Sequence, residues 1–383
     1  MKPDLHIVGA GLTGLTAAIE AAEHGRRVTV AEAHSRPGGR ARTLANPYRA
    51  NLGTHAVYVD GPWWAWLERR DLTPPIVGAP RHVGLVRAGG RLGPWPAELS
   101  QAIAALPAEA PADEAFRVWL LRYVDAKTAE AIIGVAFIFT FDHDPGRLSA
   151  AFAHQRLRRA LAGYVRYVTG GWSTLVDLLA ERAADLGVRI RTHTRVSALP
   201  AGPTILATSL ATARQLTGDQ SLTWPSARVA TIDLGLRADD GPDWFRVMDL
   251  DDRIYVARYS LADLTLAPPG HELIQISAAC APGERKADAE RRVRHLLDES
   301  WPGWRARVQW YRSALRTDCT GALDLPGTTW HDRPAISRGD TLTVATDQSA
   351  APGLLAEVGI AAAQLALQQL GETPRPAKAL TRA

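Results

Sequence analysis

The stretch Gly9-Ala10-Gly11-Leu12-Thr13-Gly14 constrains this chain more than any other, because it lies between an apolar run and a helical pattern. Leu5–Val8 reads as a short buried strand, Leu15–His24 as a helix stopped by Gly25, and Arg27–Ala31 as a second strand ending at Glu32. In such a unit each glycine has its own task. Gly9 makes the tight turn, Gly11 lets a pyrophosphate approach the backbone, and Gly14 lets helix and strand pack closely. Phosphate charge is favoured at the helix N-terminus, where free N–H groups and the dipole point outward. Glu32, 23 residues after Gly9, would accept hydrogen bonds from both hydroxyls of an adenosine ribose and repel a 2′-phosphate. The expected dinucleotide contacts are Gly9, Ala10, Gly11, Leu12, Thr13, Gly14, Glu32 and Ala33.

The next segment, Arg36-Pro37-Gly38-Gly39-Arg40-Ala41-Arg42, places a second glycine pair directly after the ribose acid. It resembles the flavin-binding signature of the superfamily of monoamine oxidase, protoporphyrinogen oxidase and phytoene desaturase. The resemblance implies FAD, with Gly38 and Gly39 along the pyrophosphate and Arg40 near phosphate. Tyr48–Tyr58 reads as a strand, and its Asn51-Leu52-Gly53-Thr54-His55 is similar to the family segment beside the isoalloxazine ring. That makes Gly53, Thr54 and His55 expected flavin contacts. Gly170-Gly171-Trp172 opens a helix to Leu186, and Gly187 and the strand Val188–Arg191 lead to Val196, the position at which the family clasps the adenine through its backbone. Pro203–Thr208 is a buried strand whose Ala207 and Thr208 resemble the turn beneath the cofactor.

A last match closes the chain. Leu342–Ala345 reads as a strand, Thr346-Asp347-Gln348 follows, and Pro352–Glu357 leads into the helix Val358–Leu370. By the resemblance Asp347 contacts the ribityl chain, and Gly353, Leu354 and Leu355 present N–H groups to the N1–C2=O edge, where they stabilise reduced flavin. The family's glycine before the acid is Thr346 here.

The expected fold is α/β, a Rossmann-like FAD-binding domain with a second domain of mixed antiparallel sheet and helices. The FAD domain is discontinuous, over 1–75, 166–225 and 335–373. The substrate domain takes 76–165 and 226–334, and 374–383 reads as a flexible tail. A hairpin is expected at His82–Val86 and Arg91–Trp95, and helices at Glu98–Leu106, Ala112–Val124, Ala126–Phe139 and Leu148–Ala162. Strands are expected at Ser226–Arg237, Arg253–Ser260 and His271–Ala278, before an amphipathic helix at Lys286–Leu297.

Composition narrows the function. A chain of 383 residues, 46% hydrophobic, has material for a large core. The net charge of +4 comes from arginine, since lysine occurs only at Lys2, Lys127, Lys286 and Lys378. The charges are scattered with no aromatic-interleaved basic patch, so nucleic acid is not the expected partner. The apolar run Ile132–Phe141 is about half the length a membrane helix needs. With no leader pattern ahead of the first strand, a cytoplasmic location is expected. Cys280 and Cys319 lack metal-ligand neighbours.

Flavin supplies redox chemistry, and the substrate side decides its use. Amine oxidases of the resembled family carry a lysine beside flavin N5, but residues 228–311 contain only Lys286, in the charged helix. Leu355 stands where monoamine oxidases place a cage tyrosine. Both departures favour desaturase-like hydride removal from an apolar or aromatic small molecule, with oxygen or another acceptor reoxidising the flavin. The alternatives are a non-redox isomerase or mutase, like UDP-galactopyranose mutase or carotene isomerase, and a flavin-binding protein without turnover. His55 is the first candidate base, followed by Tyr255, Arg258 and Tyr259.

Overall fold

The computed structural model describes residues 5–45, 47–53, 56–80, 83–238, 241–318 and 321–371. The strand–helix–strand unit forms as β1 (Leu5–Val8), α1 (Leu12–Glu23) and β2 (Val28–Ala31). It is followed by β3 (Val57–Tyr58), α2 (Pro62–Glu68) and β4 (Ile76–Val77). A hairpin, β5 (Val83–Ala88) and β6 (Arg91–Pro94), leads into four helices: α3 (Ala97–Ala105), α4 (Phe116–Leu120), α5 (Ala126–Thr140) and α6 (Ala150–Leu161). The chain returns through β7 (Val165–Val168), α7 (Ser173–Asp185), β8 (Arg189–Arg191), β9 (Thr204–Leu206) and α8 (Leu210–Thr217). Next come β10 (Arg228–Arg237), β11 (Trp244–Asp249), β12 (Ile254–Ala257), β13 (His271–Ala279), α9 (Lys286–Ser300) and β14 (Val308–Thr317). β15 (Leu342–Val344) and α10 (Ala356–Gln369) complete the described chain.

The first sheet runs β15-β9-β1-β2-β8, with every pairing parallel. Parallel neighbours need long crossovers, so this sheet gathers strands from three separate stretches of chain. Its core joins α1, α7 and α10. The small residues Ala17, Ala18 and Ala21 of α1 and Ala362, Ala363 and Ala366 of α10 are fully buried in one cluster, which lets the helices approach closely.

The second sheet runs β14-β10-β13-β12-β11-β5-β6. Residues alternate strictly between its faces. Ala230, Ile232, Leu234 and Leu236 of β10 join α9 in one core, while Val229 and, from β13, Leu273 and Ala279 join the core of the helical block.

Several expectations require correction. β11 and β14 were not read from the sequence, and the sheet is mixed because β5 pairs parallel with β11. The helix expected at Ala112–Val124 is reduced to α4, since Phe116 N–H donates to Leu148 O (2.8 Å) and Ala115 bridges Ser149, holding the preceding residues extended. Among the described residues, the strand expected over Tyr48–Tyr58 survives only as β3, in a three-stranded sheet β3-β7-β4. Asn51 instead gives its backbone oxygen to side chains, Gln275 Nε2 (2.9 Å) and Arg312 Nη2 (2.6 Å). Thr54, His55, His82, Cys319 and the tail 374–383 lie outside the described residues.

Candidate functional site

The carboxyl ends of β15, β9, β1 and β2 carry the site. Gly9 directly follows β1, Glu32 follows β2, Ala207 follows β9, and Asp347 lies just past β15. Neighbouring parallel strands therefore set these residues in a row along the edge where open α/β sheets bind ligands.

The three motif glycines separate by role. Gly9 has φ +101°, and a Cβ there would collide with the Ala207 carbonyl oxygen. A Cβ on Gly14 would collide with the Gly9 carbonyl oxygen. Around Gly11 a Cβ would meet nothing within 4 Å. Two glycines thus serve turn and packing, and the middle one faces open space, as a pyrophosphate approach needs. No side chain caps α1, which Leu12 and Thr13 open. The second glycine pair lies on the same turn: Gly38 N–H donates to Ala10 O (2.7 Å), and Gly39 adopts φ +53° against Gly11.

Glu32 is 5% exposed. Its Oε2 accepts from Ala10 N–H (2.9 Å) and its Oε1 from His34 N–H (2.8 Å), beyond Ala33. The carboxylate ties the glycine turn to β2 and keeps lone pairs for further donors. Thr194 N–H donates to Glu32 O (2.8 Å), bringing the segment that ends at half-buried Val196 alongside. Thr208 Cγ2 lies against Gly9.

At the other end of the row, Asp347 pairs with Arg40 (2.7 Å). Arg40 also donates to Asp318 O (3.0 Å), so in this structure it bridges to the C-terminal segment. Thr346 takes over the family's glycine position without positive φ. Its hydroxyl accepts from Gln348 N–H (2.9 Å), and its N–H donates to Ser349 Oγ (3.0 Å), closing a side-chain turn. Gly353 has φ +124°, and Leu355 has φ +52° and ψ −118°, a conformation that costs a leucine of order 1–3 kcal/mol. No side chain caps α10. Glu357 in its first turn is held by Arg159 of α6 through two bonds (2.7 and 2.8 Å). This clasp joins the helical block to α10, and its partners lie too far apart in sequence to be paired by spacing.

The catalytic candidates on the second sheet are separated by strand parity. Tyr255 and Arg258 are three residues apart, which directs them to opposite faces. Arg258 donates to Glu272 (2.8 and 3.0 Å), to Trp244 O (3.0 Å) and to Pro242 O, and sits between the Trp244 and Trp301 rings. The expectation of Arg258 as a catalytic group is therefore corrected: it is a buried structural lock. Tyr255 and Tyr259 face the helical block with Tyr167 and Phe245. Burial raises all three phenols above their ordinary range, so they remain protonated donors. Lys286 lies on α9 and bonds to Ser313 Oγ (2.8 Å) at the surface.

Sequence reasoning missed a polar network on the inner face of this sheet. Asp233, 2% exposed, accepts from Gln275 Nε2 (2.7 Å) and Arg312 Nε (2.6 Å), the two groups that also hold Asn51 O. It anchors the segment entering Gly53 to the second sheet. Among the described residues no group of histidine, cysteine and acidic side chains could hold a metal ion, and no helix is long and apolar enough to cross a membrane.

These features define an α/β fold with a parallel Rossmann-like sheet and a separate mixed sheet plus helices. A family described as an NAD(P)-binding Rossmann-like domain matches residues 7–69. Over 46 residues the chain is 54% identical to hydroxyneurosporene desaturase of Rhodobacter capsulatus, covering 12% of this chain and 9% of that one. Over 50 residues it is 56% identical to the L-amino acid oxidase Lm29 of Lachesis muta, covering 12% and 10%. The match thus spans about a tenth of the length of these curated relatives.

Among solved structures, an oxidoreductase from Methanosarcina mazei superposes with TM-score 0.77 at 19% identity, covering 95% of this chain and 99% of that one. Cyclohexylamine oxidase from Brevibacterium oxydans gives 0.70 at 15%, covering 97% and 99%. Reduced UDP-galactopyranose mutase gives 0.65 at 14%, covering 85% of each. Residues 7–69 thus match a Rossmann-like domain, and the chain as a whole shares its fold with these solved structures.

Proposed function

We propose that this protein is an FAD-dependent oxidoreductase that removes hydride from an apolar or aromatic small molecule, in a desaturation or oxidation of a C–C or C–N bond. The row of Asp347, Ala207, Gly9–Gly11 and Glu32 along the carboxyl edge of one parallel sheet carries this reading. Its two acids suit the two sugar portions of FAD, and open Gly11 lies between them. Glu32 would hold the adenosine ribose, Asp347 the ribityl chain, and the amide at Leu355 the pyrimidine edge of the ring, since the expected Leu354 N–H donates instead to Glu357 Oε2 (3.1 Å). Bound flavin supplies the hydride acceptor. The protein's own groups position the substrate and exclude water. Tyr255 and Tyr259 act there as neutral donors, and His55 is the proposed base. Oxygen or a separate acceptor would take the electrons.

The chain carries no cysteine between residues 340 and 360, the segment in which monoamine oxidases form their thioether, so the flavin is expected to be non-covalent. Acid precipitation should release the yellow colour to the supernatant; colour kept in the pellet would contradict this. Electrons are expected from an organic substrate, since the described chain has one glycine-rich strand–turn–helix and the Gly170-Gly171-Trp172 turn lacks its third glycine. In anaerobic stopped flow, NADH or NADPH alone should leave the flavin band intact. Rapid bleaching would instead favour the non-redox mutase reading, whose chemistry needs flavin reduced beforehand.

A further inference from the structure

The clasp between α6 and α10 is built around one buried carboxylate. Glu357 is 5% exposed and lies in the first turn of α10. Arg159 of α6 grips both of its oxygens, Nη1 to Oε2 (2.7 Å) and Nη2 to Oε1 (2.8 Å). Oε2 also accepts from Leu354 N–H (3.1 Å), and Glu357 N–H donates back to Leu354 O (3.0 Å). Two glycines make room for this side chain. A Cβ on Gly61 would collide with Glu357 Oε1 and crowd Arg159 Nη2. On Gly353, at φ +124°, a Cβ would lie 2.9 Å from Glu357 Cβ.

Arg159 Nη2 also reaches exposed Asp60 (3.2 Å), so one guanidinium serves two carboxylates. The buried one stands directly behind the turn that precedes α10. Leu354 N–H is committed to Glu357, and Leu355 N–H meets no acceptor among the described residues. Leu355 N–H is the amide proposed above for the pyrimidine edge of the flavin. Uptake of a hydride, two electrons and one proton, leaves that ring with one more negative charge. A carboxylate held out of water behind the same turn opposes such a charge. A guanidinium bound to that carboxylate masks it.

We propose that Glu357 is a positioning residue that holds down the reduction potential of the flavin, with Arg159 setting how strongly its charge is felt. The inference rests on the flavin oxidoreductase reading for what occupies the turn. It separates two roles that one ion pair can play. As a brace alone, the pair fails alike from either end, because each single variant loosens the same turn. As an electrostatic device it responds with opposite signs, since one variant removes a negative charge and the other a positive one.

The test uses the protein as purified, reduced anaerobically against a reference dye at about pH 9, where a carboxyl that has lost its partner is largely ionised. Glu357→Gln keeps an oxygen for Leu354 N–H and should raise the potential by about 30 mV, a tenfold shift in the two-electron equilibrium. Arg159→Met should lower it by a similar amount. Arg159→Lys keeps the charge and should stay near the parent. The double variant Arg159→Met with Glu357→Gln removes both charges and should return toward the parent value. Shifts of the same sign in Glu357→Gln and Arg159→Met would overturn the inference and leave the oxidoreductase reading standing. Where Arg159→Met fails to fold, a potential in Glu357→Gln at or below the parent's overturns it alone. Protein that purifies without flavin and takes up none refutes the oxidoreductase reading, and the inference falls with it.

Discussion

Glu32→Ala is expected to purify with little of its flavin and to melt at a lower temperature than the parent. The loss has two parts. A charged acceptor for the ribose hydroxyls is worth about 1.5–3 kcal/mol, or roughly ten- to a hundredfold in affinity. In addition the buried Ala10 N–H loses its carboxylate partner, at a cost of about 1–3 kcal/mol for a buried donor left unmet, while the N–H of exposed His34 can turn to water. Because Ala10 sits inside the glycine turn, the site itself loosens along with the fold. Glu32→Gln keeps one acceptor oxygen without the charge and should fall between parent and alanine variant. The flavin-to-protein absorbance ratio and a thermal melt read both parts. Unchanged values in Glu32→Ala would show that the adenosine half lies elsewhere.

Arg258→Met is expected to destabilise the protein by about 3–5 kcal/mol, because it strands the Glu272 carboxylate in the interior. Both side chains of the pair are less than one-tenth exposed, at 6% and 7%, so little solvent screening softens the loss. The double variant Arg258→Met with Glu272→Leu should recover most of it, since an apolar pair of similar size avoids the desolvation that the ion pair bears. Denaturant midpoints of the two variants measure the difference. Flavin content should be unaffected at temperatures where the fold persists. A selective loss of flavin chemistry in folded Arg258→Met would restore Arg258 as a catalytic candidate.

Tyr255 and Arg258 also show how a site can be misread when strand parity is ignored. Both lie on one strand-like stretch rich in functional groups, but a separation of three residues sends them to opposite faces of the sheet. The alternation that settles the matter is present in the sequence. What it does not reveal is the partner on each face: Trp301 and Glu272 on one, Tyr167 and the helical block on the other.

The sequence by itself determined the first strand–turn–helix–strand unit. Turn geometry and helix polarity act over a few residues, so the spacing of Gly9, Gly11, Gly14 and Glu32 marks the unit, while Gly38 and Gly39 are legible through their resemblance to a flavin-binding signature. The C-terminal turn is legible only through the resemblance, and at Thr346, where the resemblance expects glycine, the hydroxyl closes the turn. The tertiary structure alone decided which distant charges meet. The Arg159–Glu357 clasp and the Asp233 network on Asn51 each join residues from separate elements. No periodicity or local propensity encodes such pairings. They follow from packing of the second sheet and the helical block against the first, where burial turns scattered surface-type residues into strongly coupled ones.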